Sequence, residues 1–164
     1  MDDRDVVALQ IGREPRAFHR VAVRCPFGRP AVTEQAPYDT AGDPFPTTYY
    51  LTCPQLVAAV SRLEAAGGVD RWSQAVAAHD ELAASLTRAN EEQRDVRRSL
   101  ADGRRGADAG ASLDLGIGGA GRHGSLKCLH AHVAYALARP GYELGDRILA
   151  EVEPLWPPNR CCMS

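Results

Sequence analysis

Strand-forming and helix-forming patterns occupy separate parts of this 164-residue chain. Residues 17–24 and 30–34 are β-prone runs on either side of a turn that begins Cys25-Pro26, and residues 47–51 form a third run. From Thr52 onward the apolar residues follow the spacing of amphipathic helices. This order predicts an α+β fold, in which a small antiparallel sheet packs under three or four helices.

The first predicted helix has a clear start. Thr52 and Gln55 form a capping box, and Pro54 suits the first helical turn. Cys53 is thereby placed at a helix N-terminus, where the partial positive charge lowers the pKa of a thiol. Further helices are predicted at residues 70–90, 125–138 and 143–152, and the charged residues after 90 can extend the first of these.

The chain length predicts a single domain over residues 1–164. Residues 91–124 are charged and Gly-rich and are predicted to be a poorly ordered insertion. Residues 153–164 form a proline-stiffened tail that is predicted to be extended and to fold back onto the domain.

Composition excludes several functional classes. The net charge is −2 with acidic and basic residues interleaved, so the sequence lacks the basic stripe of a nucleic-acid-binding protein. No apolar leader follows the acidic start, and no stretch approaches the roughly 18 apolar residues of a spanning helix, so no membrane insertion is expected. We expect a cytoplasmic protein whose five cysteines are metal ligands, reactive thiols or core residues and not disulfides. The sequence identifies no protein partner.

The only lysine of the chain is Lys127, in the segment Lys127-Cys128-Leu129-His130. Because all other basic residues are arginine, a compact amine at this position suggests binding of an anionic small molecule, with Lys127 and His130 as candidate catalytic residues. The preceding Gly-rich run, residues 116–124, has the ingredients of an anion cradle. Its spacing matches neither known phosphate-binding fingerprint, and an ordinary surface loop is the favoured interpretation.

Cysteines provide the candidate cofactor ligands. We expect Cys25, Cys53 and Cys128 to converge, with Cys161 or Cys162 closing the site. No Cys-x₂₋₄-Cys knuckle is present, which disfavours an ordinary zinc ribbon. An iron–sulfur cluster, which accepts widely spaced cysteines, is the expected cofactor, and zinc is the alternative. The competing interpretation is that these are buried cysteines of an Ala-rich core.

The histidine that accompanies Cys128 depends on where its helix begins. For a helix from Ser125, Cys128 and His132 share a face and His130 lies about 200° away, so His132 is a predicted metal ligand. Both imidazoles could join Cys128 only if the helix began later.

Several blocks of the sequence carry a family resemblance. They are Cys25-Pro26-Phe27-Gly28-Arg29-Pro30, the run from Pro44 to Pro54, Leu63-Glu64-Ala65-Ala66-Gly67-Gly68, Ala78-His79 and Lys127-Cys128-Leu129-His130-Ala131-His132. In these blocks the chain resembles a bacterial family, common in actinobacteria, that is known as domain of unknown function 501. The resemblance favours His130, which matches the family, over the more variable His132. The family name implies no activity, but the genes of this family often lie beside those for enolase, a septum-formation initiator and an exopolyphosphatase.

Two functions are therefore expected. The first is a metal or iron–sulfur protein, with an enzyme that acts on an anionic small molecule as its catalytic form. The alternative is a non-catalytic interaction protein linked to cell division or phosphate metabolism, which docks through the helix face at residues 88–105.

Overall fold

The computed structural model describes residues 1–121 and 126–163. The predicted α+β class is confirmed, because the described residues form six α-helices and one three-stranded antiparallel sheet in a single compact domain. None of the described helices combines the length and apolar character needed to cross a bilayer. The elements are α1 (Asp3–Ile11), β1 (Phe18–Arg24), β2 (Pro30–Gln35), β3 (Tyr49–Leu51), α2 (Pro54–Ala65), α3 (Gly68–Ala78), α4 (Asp80–Ala101), α5 (Leu129–Ala138) and α6 (Glu143–Ala150), with two 3₁₀ turns at Ala111–Asp114 and Ile117–Gly119.

The sheet has the order β1-β2-β3, with strands close to where the sequence predicts them. Strand β2 is central and buried along its whole length, pairing with β1 at Thr33 and with β3 at Val32. The β1–β2 hairpin closes where the amide of Cys25 donates to the carbonyl of Arg29 at 2.9 Å. Gly28 has φ +84°, which this turn requires and which glycine adopts without strain.

Helix α5 lies at the centre of the molecule, with seven of its ten residues buried. Its sequence is apolar on nearly every side, as expected of a helix that contacts neighbours all round. It packs on β3 and against α6 and α2. The N-terminus of α5 is therefore held firmly beside α2. The core side chains include Leu56, Val60, Leu129, Val133, Leu144 and Ile148.

The single helix predicted at residues 70–90 is instead two helices. The backbone of His79 is extended, with φ −128° and ψ 110°, which ends α3 and starts α4. Asp80 and Glu81 then occupy the first turn of α4, where negative charge is favourable. Apolar spacing continues across the break, so periodicity alone could not detect it. Helix α4 continues to Ala101 and thus includes the first part of the segment predicted to be a poorly ordered insertion.

The sequence analysis does not predict helix α1. Both ends of this helix are nevertheless capped by residues of suitable type. Asp2 accepts from the amide of Asp5 at 2.9 Å at the N-terminal end, and Gly12 has φ +72° at the C-terminal end.

Arg97 on α4 is fully buried, although the sequence places it on an exposed face at residues 88–105. Its guanidinium donates to the carbonyls of Phe45 at 3.0 Å, Pro46 at 3.3 Å and Ser112 at 3.2 Å. The residue therefore joins α4 to two loops, and only part of the predicted docking face is accessible.

Candidate metal centre

Three side chains of metal-ligand type meet where the end of α2 approaches the start of α5. Glu64 lies in the last turn of α2, Cys128 is the N-cap of α5, and His130 is in the first turn of α5. His130 Nδ1 lies 3.7 Å from Cys128 Sγ and 3.1 Å from Glu64 Oε1. Across residues 1–121 and 126–163, no other group of three His, Cys, Asp or Glu side chains has its ligand atoms all within 4.8 Å.

These separations match those of ligands around one tetrahedral ion. Bonds of about 2.3 Å to sulfur and about 2.0 Å to nitrogen or oxygen, at tetrahedral angles, place sulfur and nitrogen about 3.5 Å apart and nitrogen and oxygen about 3.3 Å apart. The observed 3.7 Å and 3.1 Å differ from those values by about 0.2 Å. The two separations from His130 Nδ1 are therefore compatible with a zinc-type ion, and the three ligand atoms all lie within 4.8 Å of one another.

The remaining polar atoms of the ligands are held by neighbours. Glu64 Oε2 accepts from the amide of Leu129 at 2.9 Å. His130 Nε2 lies 3.1 Å from the Ser61 hydroxyl and 3.3 Å from the carbonyl of Val57. Because the Val57 carbonyl can only accept, Nε2 carries a proton, and Nδ1 is the ring nitrogen that faces Cys128 and Glu64.

The electrostatics of the cluster favour a cation. Interaction with Cys128 raises the pKa of His130 above its ordinary value, and Glu64 adds to this effect while partial burial opposes it. The Cys128 thiol and the Glu64 carboxyl group thus converge on Nδ1 of His130. A bound metal ion would take the place of the proton at that nitrogen.

A cavity of about 560 Å³ opens beside the cluster, and Cys128 and His130 form part of its wall. Thr52, also in the wall, is buried and its hydroxyl has no hydrogen-bond partner among the described residues. The described lining includes no lysine or arginine. Most of the wall is apolar or aromatic, from Ile11, Tyr49, Tyr50, Leu51, Pro54, Val57, Ala58, Gly118 and Ala131.

Helix α5 begins later than the sequence predicts, and its starting point determines which histidine faces Cys128. Cys128 is extended, with φ −155° and ψ 120°, and the helix begins at Leu129. The expected start at Ser125 lies outside the described residues. Consequently His130 contacts Cys128, whereas His132 is buried with Nδ1 2.8 Å from the Tyr142 hydroxyl. Burial lowers the pKa of His132 to about 4, and the ring takes no part in the cluster.

Lys127 does not face this cavity. It is exposed, and its Nζ lies 3.5 Å from the carbonyl of Gly119. Four backbone amides within residues 116–120 already donate, three inside the turn and one to Asn90 Oδ1. Residues 122–124 of the Gly-rich run lie outside the described part of the chain. The described part therefore offers few free donors for an anion.

The other four cysteines line a second, smaller cavity that Cys128 does not line. Cys53 and Cys162 have their sulfurs 3.9 Å apart, and Cys25 and Cys161 are buried beside them. The predicted lowering of the Cys53 pKa is wrong. Burial raises the pKa of Cys53 to about 11, and this outweighs the opposing effect of the backbone amides in the first turn of α2.

Glu64 is the site residue that the sequence analysis missed. It stands inside one of the blocks that carry the family resemblance, Leu63-Glu64-Ala65-Ala66-Gly67-Gly68. Nothing in the local pattern distinguishes it from an ordinary exposed helical glutamate, because its role depends on the packing of α2 against α5.

The fold and the cluster together define a small α+β domain with a candidate metal centre at the edge of an apolar cavity. The chain belongs to the family described as "Protein of unknown function (DUF501)", whose profile matches residues 21–150. The matched region contains Glu64, Cys128 and His130 but ends before the C-terminal cysteine pair. The resemblance inferred from the sequence is thus confirmed. No curated protein and no solved structure matched the chain.

Proposed function

We propose that the protein binds one divalent metal ion, for which zinc is the best fit, through Glu64, Cys128 and His130. The ion serves as a Lewis acid toward an uncharged, largely apolar small molecule. The observation that carries this proposal is the spacing of the three ligand atoms, 3.7 Å and 3.1 Å from one imidazole nitrogen, at the wall of a cavity.

Three protein ligands leave one position of a tetrahedral ion open, which is the arrangement of catalytic zinc sites. Cys128 and His130 belong to the cavity wall, so an ion held by Glu64, Cys128 and His130 would adjoin the space open to a bound molecule. It would supply Lewis-acid chemistry to a polar group of that molecule. The mixed sulfur, nitrogen and oxygen ligand set supports a single ion here and not an iron–sulfur cluster.

Charge balance favours an uncharged substrate. A divalent cation with the Cys128 thiolate, the Glu64 carboxylate and a neutral His130 has no net charge. The described lining adds no lysine or arginine to attract an anion. The Thr52 hydroxyl, which has no partner among the described residues, can instead bind a neutral polar group, and the apolar wall accommodates the rest of the molecule. The anionic ligand expected from Lys127 is therefore less well supported.

A second candidate is a cysteine nucleophile activated by its neighbour, because Cys128 Sγ lies 3.7 Å from His130 Nδ1. In thiol and serine triads, however, the carboxylate and the nucleophile bind opposite nitrogens of the ring. Here Glu64 and Cys128 both approach Nδ1, and Nε2 faces Ser61 and Val57. Convergence on one nitrogen suits an ion better than a proton relay.

Metal analysis of purified variants tests the proposal. His130→Gln and Glu64→Gln should each lose one zinc ion per chain relative to the wild type. The matched controls His79→Gln and Glu81→Gln, at exposed positions near the start of α4, should keep it. Zinc should also protect Cys128 from iodoacetamide. Full zinc content in both His130→Gln and Glu64→Gln would refute the metal site, and rapid alkylation of Cys128 irrespective of zinc would favour the nucleophile.

A further inference from the structure

Four cysteines from three distant parts of the chain surround one small cavity. Cys25 begins the β1–β2 turn, Cys53 is the N-cap of α2, and Cys161 and Cys162 belong to the C-terminal tail. The cavity measures about 10 Å³, which is room for one atom-sized occupant. Four cysteines that line so small a space suggest a ligand set for a single ion.

The one close pair in this group has the separation that such an ion requires. Two thiolates bound at about 2.3 Å with a tetrahedral angle lie about 3.8 Å apart. Cys53 Sγ and Cys162 Sγ lie 3.9 Å apart. No third described sulfur is within 4.8 Å of both, so binding must draw Cys25 and Cys161 inward. Both residues lie outside the helices and strands, Cys25 at a turn and Cys161 in the irregular tail.

The surroundings keep water away from the cysteines. Cys25, Cys53 and Cys161 are all buried. Arg29 also belongs to the cavity wall. Phe27, Trp156 and Pro157 provide apolar cover that limits access of water.

We propose a second metal site, independent of the proposed function, in which Cys25, Cys53, Cys161 and Cys162 bind one Zn²⁺ ion. Four protein ligands close the coordination sphere, so the ion is structural. It fastens the C-terminal tail to the β1–β2 turn and to the start of α2. The atom-sized cavity and the 3.9 Å pair favour a single ion over a cluster, which spreads its thiolates around a larger core.

Zinc stoichiometry of the full-length protein, purified under reducing conditions, tests this second site. The wild type should bind two ions, and Cys128→Ser and Cys162→Ser one each. The double variant should bind none. Cys162 is exposed, so its replacement should not prevent folding, which circular dichroism checks. Replacement of zinc by Co²⁺ should give a thiolate charge-transfer band in Cys128→Ser that decreases strongly in Cys53→Ser and Cys162→Ser.

The two proposals fail in different ways. If Cys128→Ser binds no zinc although the wild type binds one ion, the second site is refuted and the first stands. If the wild type binds one ion that Cys162→Ser loses and Cys128→Ser keeps, the first site is refuted and the second stands. A brown iron-containing protein after anaerobic purification, or two ions retained in both Cys53→Ser and Cys162→Ser, would overturn the thiolate zinc site.

Discussion

Burial of His132 should make the protein less stable in mild acid. The ring is almost completely inaccessible, and burial alone lowers its pKa from the ordinary 6.5 to about 4. Between those values the unfolded chain binds a proton that the folded chain does not. Stability is therefore fully present above about pH 6.5 and is lost as the pH falls toward 4.

The magnitude follows from the two pKa values. A difference between 6.5 and about 4, at about 1.4 kcal/mol for each pH unit, limits the loss to about 3 kcal/mol. Between pH 7 and pH 5 the expected loss is about 2 kcal/mol. The raised pKa of His130 acts in the opposite direction, because its protonation stabilises the folded state, so the wild-type profile alone cannot isolate His132.

Comparison with His132→Gln removes this ambiguity, because His130 is present in both proteins. We expect the free energy of unfolding, measured by urea titration at pH 7 and pH 5 in the presence of a chelator, to fall about 2 kcal/mol less in the variant. Tyr142→Phe is the matched control, since it removes the hydroxyl partner of His132 but keeps the buried imidazole. Equal pH dependence in wild type and His132→Gln would refute the reasoning.

Three further predictions concern stability. Arg97→Met should lower the free energy of unfolding, measured by urea denaturation, by about 3 kcal/mol or more, because it leaves buried carbonyls without donors. Arg98→Met, on the exposed side of α4, should lower it by less than about 1 kcal/mol. Gly145→Ala in α6 should destabilise by about 1 to 3 kcal/mol despite better helix propensity, because the added carbon would lie 2.5 Å from the Tyr142 ring; a stabilised variant would contradict this. Zinc at 1,000 times its dissociation constant should stabilise the folded protein by about 4 kcal/mol per site, and unchanged thermal midpoints would contradict this.

Local signals account for the parts of the fold that the sequence predicted. The β-branched runs and the turn at Cys25 are enough to locate β1 and β2. Helix α2 was also predicted, although Cys53 and not Thr52 is its N-cap. The Thr52 hydroxyl makes no capping bond, because the chain enters the helix one residue later than the capping-box pattern implies. Such a shift depends on packing against β2, which a local motif does not encode.

The candidate site was predictable only in part. Cys128 and His130 were recognisable from the sequence, because they follow the only lysine, Lys127, in a block that resembles the family. Their mutual contact depends on an extended backbone at Cys128, which rotates His130 toward the sulfur. Glu64 reaches them only through tertiary packing, and its bond to Leu129 joins residues that are 65 positions apart. No single-sequence periodicity carries that information.

The two proposed metal sites share one short segment of chain. A structural ion at the thiol cavity could therefore help to position the other metal site. Thr52 and Pro54 line the apolar cavity, while Cys53 between them lines the thiol cavity. The same segment starts α2, whose far end presents Glu64 to α5. The hydrogen bond from the Leu129 amide to Glu64 holds the C-terminal end of α2, and an ion bound to Cys53 would hold its N-terminal end. The cavity wall and the ligand helix would then be fixed at both ends of α2.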